Sequence, residues 1–278
     1  IPSLSIVIPY YETGKIFNKV TRNLTNAILF IKESGINLDY EIIIIDDGSI
    51  GKKACDFMYK NLENSRIIKF DSNRGRTYSR NTGLKEAKMK KILFMDSDII
   101  ISEEIILNHL KVHSITSTDD KKIISVGFFQ FIDKYNKIID EDVIKMSDIN
   151  LNDFRINCTY RATWIGCEDD KRFIGKEFRV VGQTDDFKNW DKSGFFGPWF
   201  LPNMILGGFF MVDTEHSKNV GGFSPLFRGY GFTETSLPTK LIAAYNDYVV
   251  PVIFGGGIHI EDSSINIERS KKDKIKQK

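Results

Sequence analysis

Through the first 115 residues, short apolar runs alternate with longer stretches whose apolar positions recur at helical spacing. Leu4 to Pro9 (LSIVIP) is a continuous apolar run of strand length, and Ile16, Val20, Leu24, Ala27, Ile28 and Ile31 then mark one face of a helix over Lys15 to Ser34. Gly35 supplies the residue type that ends helices. Glu41 to Ile45 (EIIII) predicts a second strand, Ala54 to Leu62 a helix, Arg66 to Phe70 a third strand, Tyr78 to Lys88 a helix, and Lys91 to Met95 (KILFM) a fourth strand. Ser102 followed by Glu103 and Glu104 predicts a capped helix start with acids against the positive dipole end.

Fully apolar strands joined by helices imply a mostly parallel α/β sheet with both faces covered. Such sheets bind ligands beyond the carboxyl ends of their strands. The polar residues after Ile8, Ile45 and Met95 therefore belong to one candidate site.

From about residue 116 the alternation breaks. Ile123 to Phe131 reads as a further strand, whereas 133–203 mixes acids (Glu168, Asp169, Asp170) with aromatics (Trp164, Trp190, Phe196, Trp199, Phe200). Segments of that kind cover sites or recognise variable partners, and aromatic faces suit a ligand site as well as a core. Regular patterning returns with Gly207 to Val212 and Val220 to Phe223. The organisation expected is one domain over 1–278: an α/β half whose strand ends gather the candidate site (1–115), a second half (116–262) and a basic tail (263–278).

Composition narrows the partners. Lys+Arg 39 against Asp+Glu 37 leaves a net charge of +2, too small a field to favour nucleic acid. Three cysteines (Cys55, Cys158, Cys167) without C-x-x-C spacing suggest neither a disulfide framework nor a zinc site. No apolar run reaches the length of a membrane span, and the cysteine pattern fits a reducing compartment, so a cytoplasmic location is expected. The lysine-rich end, Ser270 to Lys278, allows a peripheral contact with anionic lipid or simply a solvated terminus.

Four constellations carry chemistry. Asp96-Ser97-Asp98 sets two carboxylates at a strand end, where hard oxygen ligands suit Mg²⁺ or Mn²⁺ bridging a diphosphate; alone, it fits a polar turn equally. Asp46-Asp47-Gly48-Ser49 is a second acidic strand end, able to accept hydrogen bonds from a base or ribose. Pro9-Tyr10-Tyr11-Glu12 offers an aromatic that could stack on a base. Asn73-Arg74-Gly75-Arg76, with Arg80 and Asn81, supplies cations beside a helix start, which attract a diphosphate. A nicotinamide site would need G-x-G-x-x-G after the first strand, and PYYETG is not that.

In this order, SIVIPYYETG, EIIIIDDGS, NRGRTYSRNTGL and ILFMDSD resemble the successive signatures of family-2 glycosyltransferases with the GT-A fold. GGFFMV and VGGFSPLFRGYGFTETSL resemble that family's acceptor-side segment, so the likeness covers the chain outside roughly 130–200. The resemblance implies an inverting, metal-dependent transfer from a nucleotide-diphospho-sugar, a UDP-sugar by family habit. The acceptor it implies is a glycan, a lipid-linked carrier, a peptide or a small molecule. Pro9, Tyr11, Glu12 and Asp47 would contact uracil and ribose, with Arg74 and Arg80 near the diphosphate. Asp96 would hold ribose or metal, and Asp98 the metal. Relatives of the β-galactosyltransferase type add a late histidine ligand, a place that His259 fits as well as it fits an ordinary strand end. The family's acidic pair falls on Thr233-Glu234, leaving Glu234 as the expected base. A non-catalytic sugar-nucleotide or glycan-binding module is the alternative that this lost acid supports.

Overall fold

The computed structural model describes residues 1–50, 62–116, 122–133, 166–167, 172–173, 208–227 and 233–261. Residues 54–61 of the expected second helix, Cys55, Cys158, the aromatic group from Trp164 to Phe200, Glu168, Gly229 to Phe232 and the basic tail lie outside them.

The elements run β1 (Leu4–Tyr10), α1 (Ile16–Glu33), β2 (Tyr40–Asp46), β3 (Ser65–Lys69), α2 (Arg76–Glu86), β4 (Lys91–Met95), β5 (Ile99–Ile101) and α3 (Ile105–Thr116). After these come β6 (Ile123–Asp133), a two-stranded ribbon of β7 (Gly166–Cys167) and β8 (Arg172–Phe173), β9 (Phe209–Asp213), α4 (Thr214–Asn219), α5 (Thr233–Tyr245) and β10 (Tyr248–Glu261). Eight strands form one sheet in the order β3-β2-β1-β4-β9-β6-β10-β5.

The expected parallel arrangement holds from β3 to β4, where Ile42 to Ile45 and Leu4 to Ile8 are buried on both faces of the sheet. Beyond β4 the sheet is mixed. β9 enters antiparallel to both β4 and β6, β10 returns parallel to β6, and β5 closes the edge antiparallel to β10. A register shift between Val252 and Gly257 lets the long β10 pair with β6 along its length and also with β5 near its end.

Helix α1 turns Phe17, Val20, Leu24, Ala27 and Ile31 into the core, the face its spacing indicated. Each fully buried side chain of this size contributes about 1.5–3 kcal/mol relative to exposure. One buried polar residue also ties the strands together. Glu41 on β2 accepts from Ser5 Oγ (2.7 Å), from the Lys88 N–H (2.7 Å) and from the Arg66 guanidinium.

Some placements differ from expectation. α2 begins at Arg76 rather than Tyr78, because Gly75 takes φ 93° and its carbonyl accepts from the Ser79 N–H at 3.1 Å. Ser102 does not cap α3. Its N–H donates to the Gly256 carbonyl (2.8 Å) and its Oγ accepts from the Gly256 N–H (3.1 Å), so it ties the chain to β10. Glu103 and Glu104 sit in the turn before the helix, which starts at Ile105. His259 lies within β10 rather than after a strand.

Candidate active site

Three strand ends meet in one place, and hydrogen bonds between their loops hold them there. The Asp47 N–H after β2 donates to the Tyr10 carbonyl at the end of β1 (2.8 Å). The Glu12 N–H donates to Ser49 Oγ (3.0 Å), and the Ser49 N–H to Asp46 Oδ1 (2.9 Å). The β1 loop reaches the β4 loop through a 2.6 Å bond shared by Thr13 Oγ1 and Ser97 Oγ. Glu12 itself takes φ 52°, a left-handed conformation uncommon outside glycine and frequent at binding sites.

The two tyrosines separate sharply. Tyr10 is fully buried, its ring 4.9 Å from Phe17 and its OH accepting from the Gly14 N–H (3.1 Å). Tyr11 is 49% exposed, so it alone offers a face to a base, while Pro9 is half-buried at the end of β1.

Asp47 is buried and holds the next loop: Oδ1 accepts from the Arg74 N–H (2.6 Å) and Oδ2 from the Gly75 N–H (2.9 Å). Burial pushes its carboxyl up despite those bonds, and the neighbouring Asp46 adds to the rise. A side chain at Gly48 would meet the Ser72–Asn73 backbone at 2.5–2.7 Å, so the two loops can close only over a glycine. Asp47 is thus an organiser of the 72–75 loop. Arg74 directs its guanidinium onto the Phe70 and Tyr78 rings (5.7 and 4.7 Å) and donates to the Tyr78 hydroxyl. The charge bearing on Asp96 and Asp98 is instead that of Arg76, together with Arg80 on Asp96.

Arg80 is wholly buried and paired with Asp96 Oδ1 at 2.8 Å. A buried pair of this kind adds little net stability, but it fixes where both groups stand. Burial alone would raise the Asp96 carboxyl; Arg80, then Arg76 and His259, outweigh it and hold Asp96 below its ordinary range. Half-buried Asp98 is pushed up by loss of water and by the Asp96 charge, with His259 opposing.

His259 arrives through the sheet. β5 follows Asp98 directly, and its pairing sets His259 opposite Ile99, with the Ile260 N–H donating to the Asp98 carbonyl (3.0 Å). His259 Nε2 lies 3.4 Å from Asp98 Oδ1. Ligand atoms of Asp96, Asp98 and His259 all fall within 4.8 Å of one another, the one such cluster among the described residues. Two carboxylate oxygens and one imidazole nitrogen fit a divalent ion: the oxygens suit Mg²⁺ and Mn²⁺, and the nitrogen favours the transition ion.

Glu234 occupies the first turn of α5 and accepts from Thr233 Oγ1. That turn joins the site through a chain of bonds. Ser236 Oγ accepts from the Ser224 N–H (3.1 Å), and the preceding Phe223 exchanges both backbone bonds with the Asn81 amide (2.8 Å each). Phe223 also lies under Arg80, 5.6 Å from ring centre to guanidinium. Thr13, Ser97 and Phe223 were not marked by local pattern; only the spatial meeting of distant segments reveals them.

Known proteins resemble this chain in sequence and in fold. The family model for glycosyl transferase family 2 matches residues 5–147. A dolichyl-phosphate beta-glucosyltransferase of Saccharomyces cerevisiae is 42% identical over 103 residues, 34% of this chain and 29% of that protein. GalNAc-T7 with UDP, GalNAc and Mn²⁺ superposes at TM-score 0.59 and 15% identity, over 94% of this chain and 44% of that one. Staphylococcus aureus TarS 1-349 in complex with UDP-GlcNAc gives 0.57 and 14%, over 94% and 59%. The chain spans well under two thirds of each of these proteins. With the family model covering just over half its length and these structures superposing on 94% of it, the chain belongs to glycosyl transferase family 2 and has the GT-A fold.

Proposed function

We propose that this chain transfers a sugar from a nucleotide-diphospho-sugar, a UDP-sugar, to an acceptor hydroxyl with inversion, assisted by Mn²⁺ or Mg²⁺. The observation that carries the reading is the convergence of three strand-end loops on the Asp96–Asp98–His259 cluster, with Arg80 fixed beside it. A bound divalent ion would neutralise charge on the departing diphosphate.

The remaining work falls to the chain. Tyr11 stacks on the base, and the loop ordered by Asp47 shapes the nucleoside side. Arg76 and Arg80 add positive charge where the diphosphate sits. Glu234 takes the proton from the acceptor hydroxyl while that oxygen bonds to the anomeric carbon and the bond to the diphosphate breaks, releasing the nucleoside diphosphate. The acceptor is a hydroxyl on a glycan, a lipid-linked carrier, a peptide or a small molecule. No helix among the described residues is long and apolar enough to cross a membrane.

A panel of UDP- and GDP-sugars incubated with Mn²⁺ tests this, read as free nucleotide. Release that needs Mn²⁺ and stops with chelator is expected for at least one UDP-sugar. Binding without any release would favour the rival reading, a non-catalytic module, to which Thr233 in place of the family's first acid points. No binding of any nucleotide sugar would defeat both.

A further inference from the structure

We propose that Phe223, clamped by Asn81, is a positioning residue that sets the donor side of the reaction centre against the helix carrying Glu234. The inference rests on the donor site proposed above and adds a residue to it from outside the strand-end loops.

Phe223 stands where several elements meet. Its fully buried ring packs edge-on to Phe94 of β4 (4.9 Å, 85°), two residues before Asp96, and near Phe210 of β9 (6.2 Å). On another side lies the Arg80 guanidinium at 5.6 Å, within the range where a ring face attracts a cation, and more strongly in a dry surrounding. Arg80 in turn holds Asp96. The ring therefore helps fix a cation whose place decides how the acidic cluster meets a diphosphate.

The Phe223 backbone is held as firmly as its ring. Asn81 Nδ2 donates to the Phe223 carbonyl and Asn81 Oδ1 accepts from its N–H, both at 2.8 Å, a two-point clamp from the residue after Arg80. Residues on either side tie to α5: Lys240 Nζ donates to the Gly222 carbonyl (2.7 Å), and the Ser224 N–H donates to Ser236 Oγ. Ser236 Oγ also donates to the Thr233 carbonyl (2.8 Å), next to Glu234. Adjacent residues of α2, Arg80 and Asn81, thus grip one phenylalanine whose neighbours hold the helix start. A base and a leaving group must be placed to within a fraction of an ångström, and this arrangement refers both to a single residue.

Two variants and UDP with Mn²⁺ as the probe test the proposal. Phe223→Leu keeps apolar packing but removes the ring under Arg80; Phe223→Met serves if the leucine form does not fold. Calorimetry at low temperature should show Mn²⁺–UDP affinity reduced about five- to thirtyfold, as expected for losing a desolvated cation–ring contact. Lower melting temperature with affinity within twofold of the parent would show a packing role only and overturn the proposal. Hydrogen exchange supplies the second arm, at saturating Mn²⁺–UDP. The parent should show ligand-dependent protection in 233–245, and Asn81→Ala should lose it while remaining folded. Protection that survives in Asn81→Ala, or that never appears in a parent that binds, overturns the inference and leaves the donor site standing. A parent that does not bind Mn²⁺–UDP overturns the donor reading and this inference with it.

Discussion

Replacing Gly48 by alanine tests whether the two loops beside the proposed nucleoside pocket close as tightly as described. The added Cβ would meet Ser72 C at 2.5 Å and Asn73 N at 2.7 Å, both backbone atoms that cannot rotate away. Residue 48 also has φ 79°, a conformation costing an alanine about 1–2 kcal/mol. Forcing a methyl into a closed contact adds roughly 1–3 kcal/mol, for a total of about 2–5 kcal/mol. Relief requires the 72–73 backbone to retreat from 2.5 Å to an ordinary 3.4 Å, which pulls Arg74 and Gly75 away from the Asp47 carboxylate. A displacement near 1 Å beside reacting groups costs turnover on the order of 100-fold. Gly35→Ala is the control, because residue 35 has φ 76° but nothing within 4 Å of the added methyl. Urea unfolding should place Gly48→Ala below Gly35→Ala, and Mn²⁺-dependent donor hydrolysis should fall only in the former. Equal stabilities with equal turnover would refute the close approach of these loops.

Burial raises the Glu41 carboxyl but Ser5, Arg66 and Lys88 outweigh it, so its folded pKa lies below the ordinary 4.5. Its contribution is therefore complete above about pH 4.5 and lost as pH falls through the folded value. Glu41→Gln should cost about 1–2 kcal/mol at pH 7 in urea unfolding, the partly exposed Arg66 limiting the effect, and the gap to the parent should close in acid. A gap independent of pH would contradict this. Glu234→Gln should lower transfer about 10²- to 10⁴-fold with Mn²⁺–UDP affinity little changed; full turnover would remove Glu234 as base. His259→Ala should weaken Mn²⁺ at least about tenfold, read by metal titration in the presence of UDP, and unchanged affinity would exclude it as a ligand.

Much of the donor half is legible in the chain because its order is local. The apolar runs of β1, β2 and β4 and the spacing of α1 report their own burial, and strand ends in an α/β sheet must share one side. The cluster of Asp96 and Asp98 follows from that rule. What local pattern could not show is pairing between distant segments. Ser102 has the residue type of a helix cap, but its bonds go to Gly256, about 150 residues along the chain. His259 reaches Asp98 only because the three-residue β5 pairs with the far end of β10. Arg74 and Arg76 look alike in sequence, and only the aromatic pair Phe70–Tyr78 beside Arg74 separates their directions. Phe223 reads as one more core phenylalanine until Arg80 and Asn81 are seen to hold it.

The central claim is that a divalent ion held by Asp96, Asp98 and His259 is required for nucleotide binding. Titration of UDP into the parent and Asp98→Ala proteins, each with Mn²⁺ and with chelator, measures it. The account predicts binding by the parent that depends on Mn²⁺ and is lost in Asp98→Ala. Binding of equal strength with chelator, or in the variant, would contradict it.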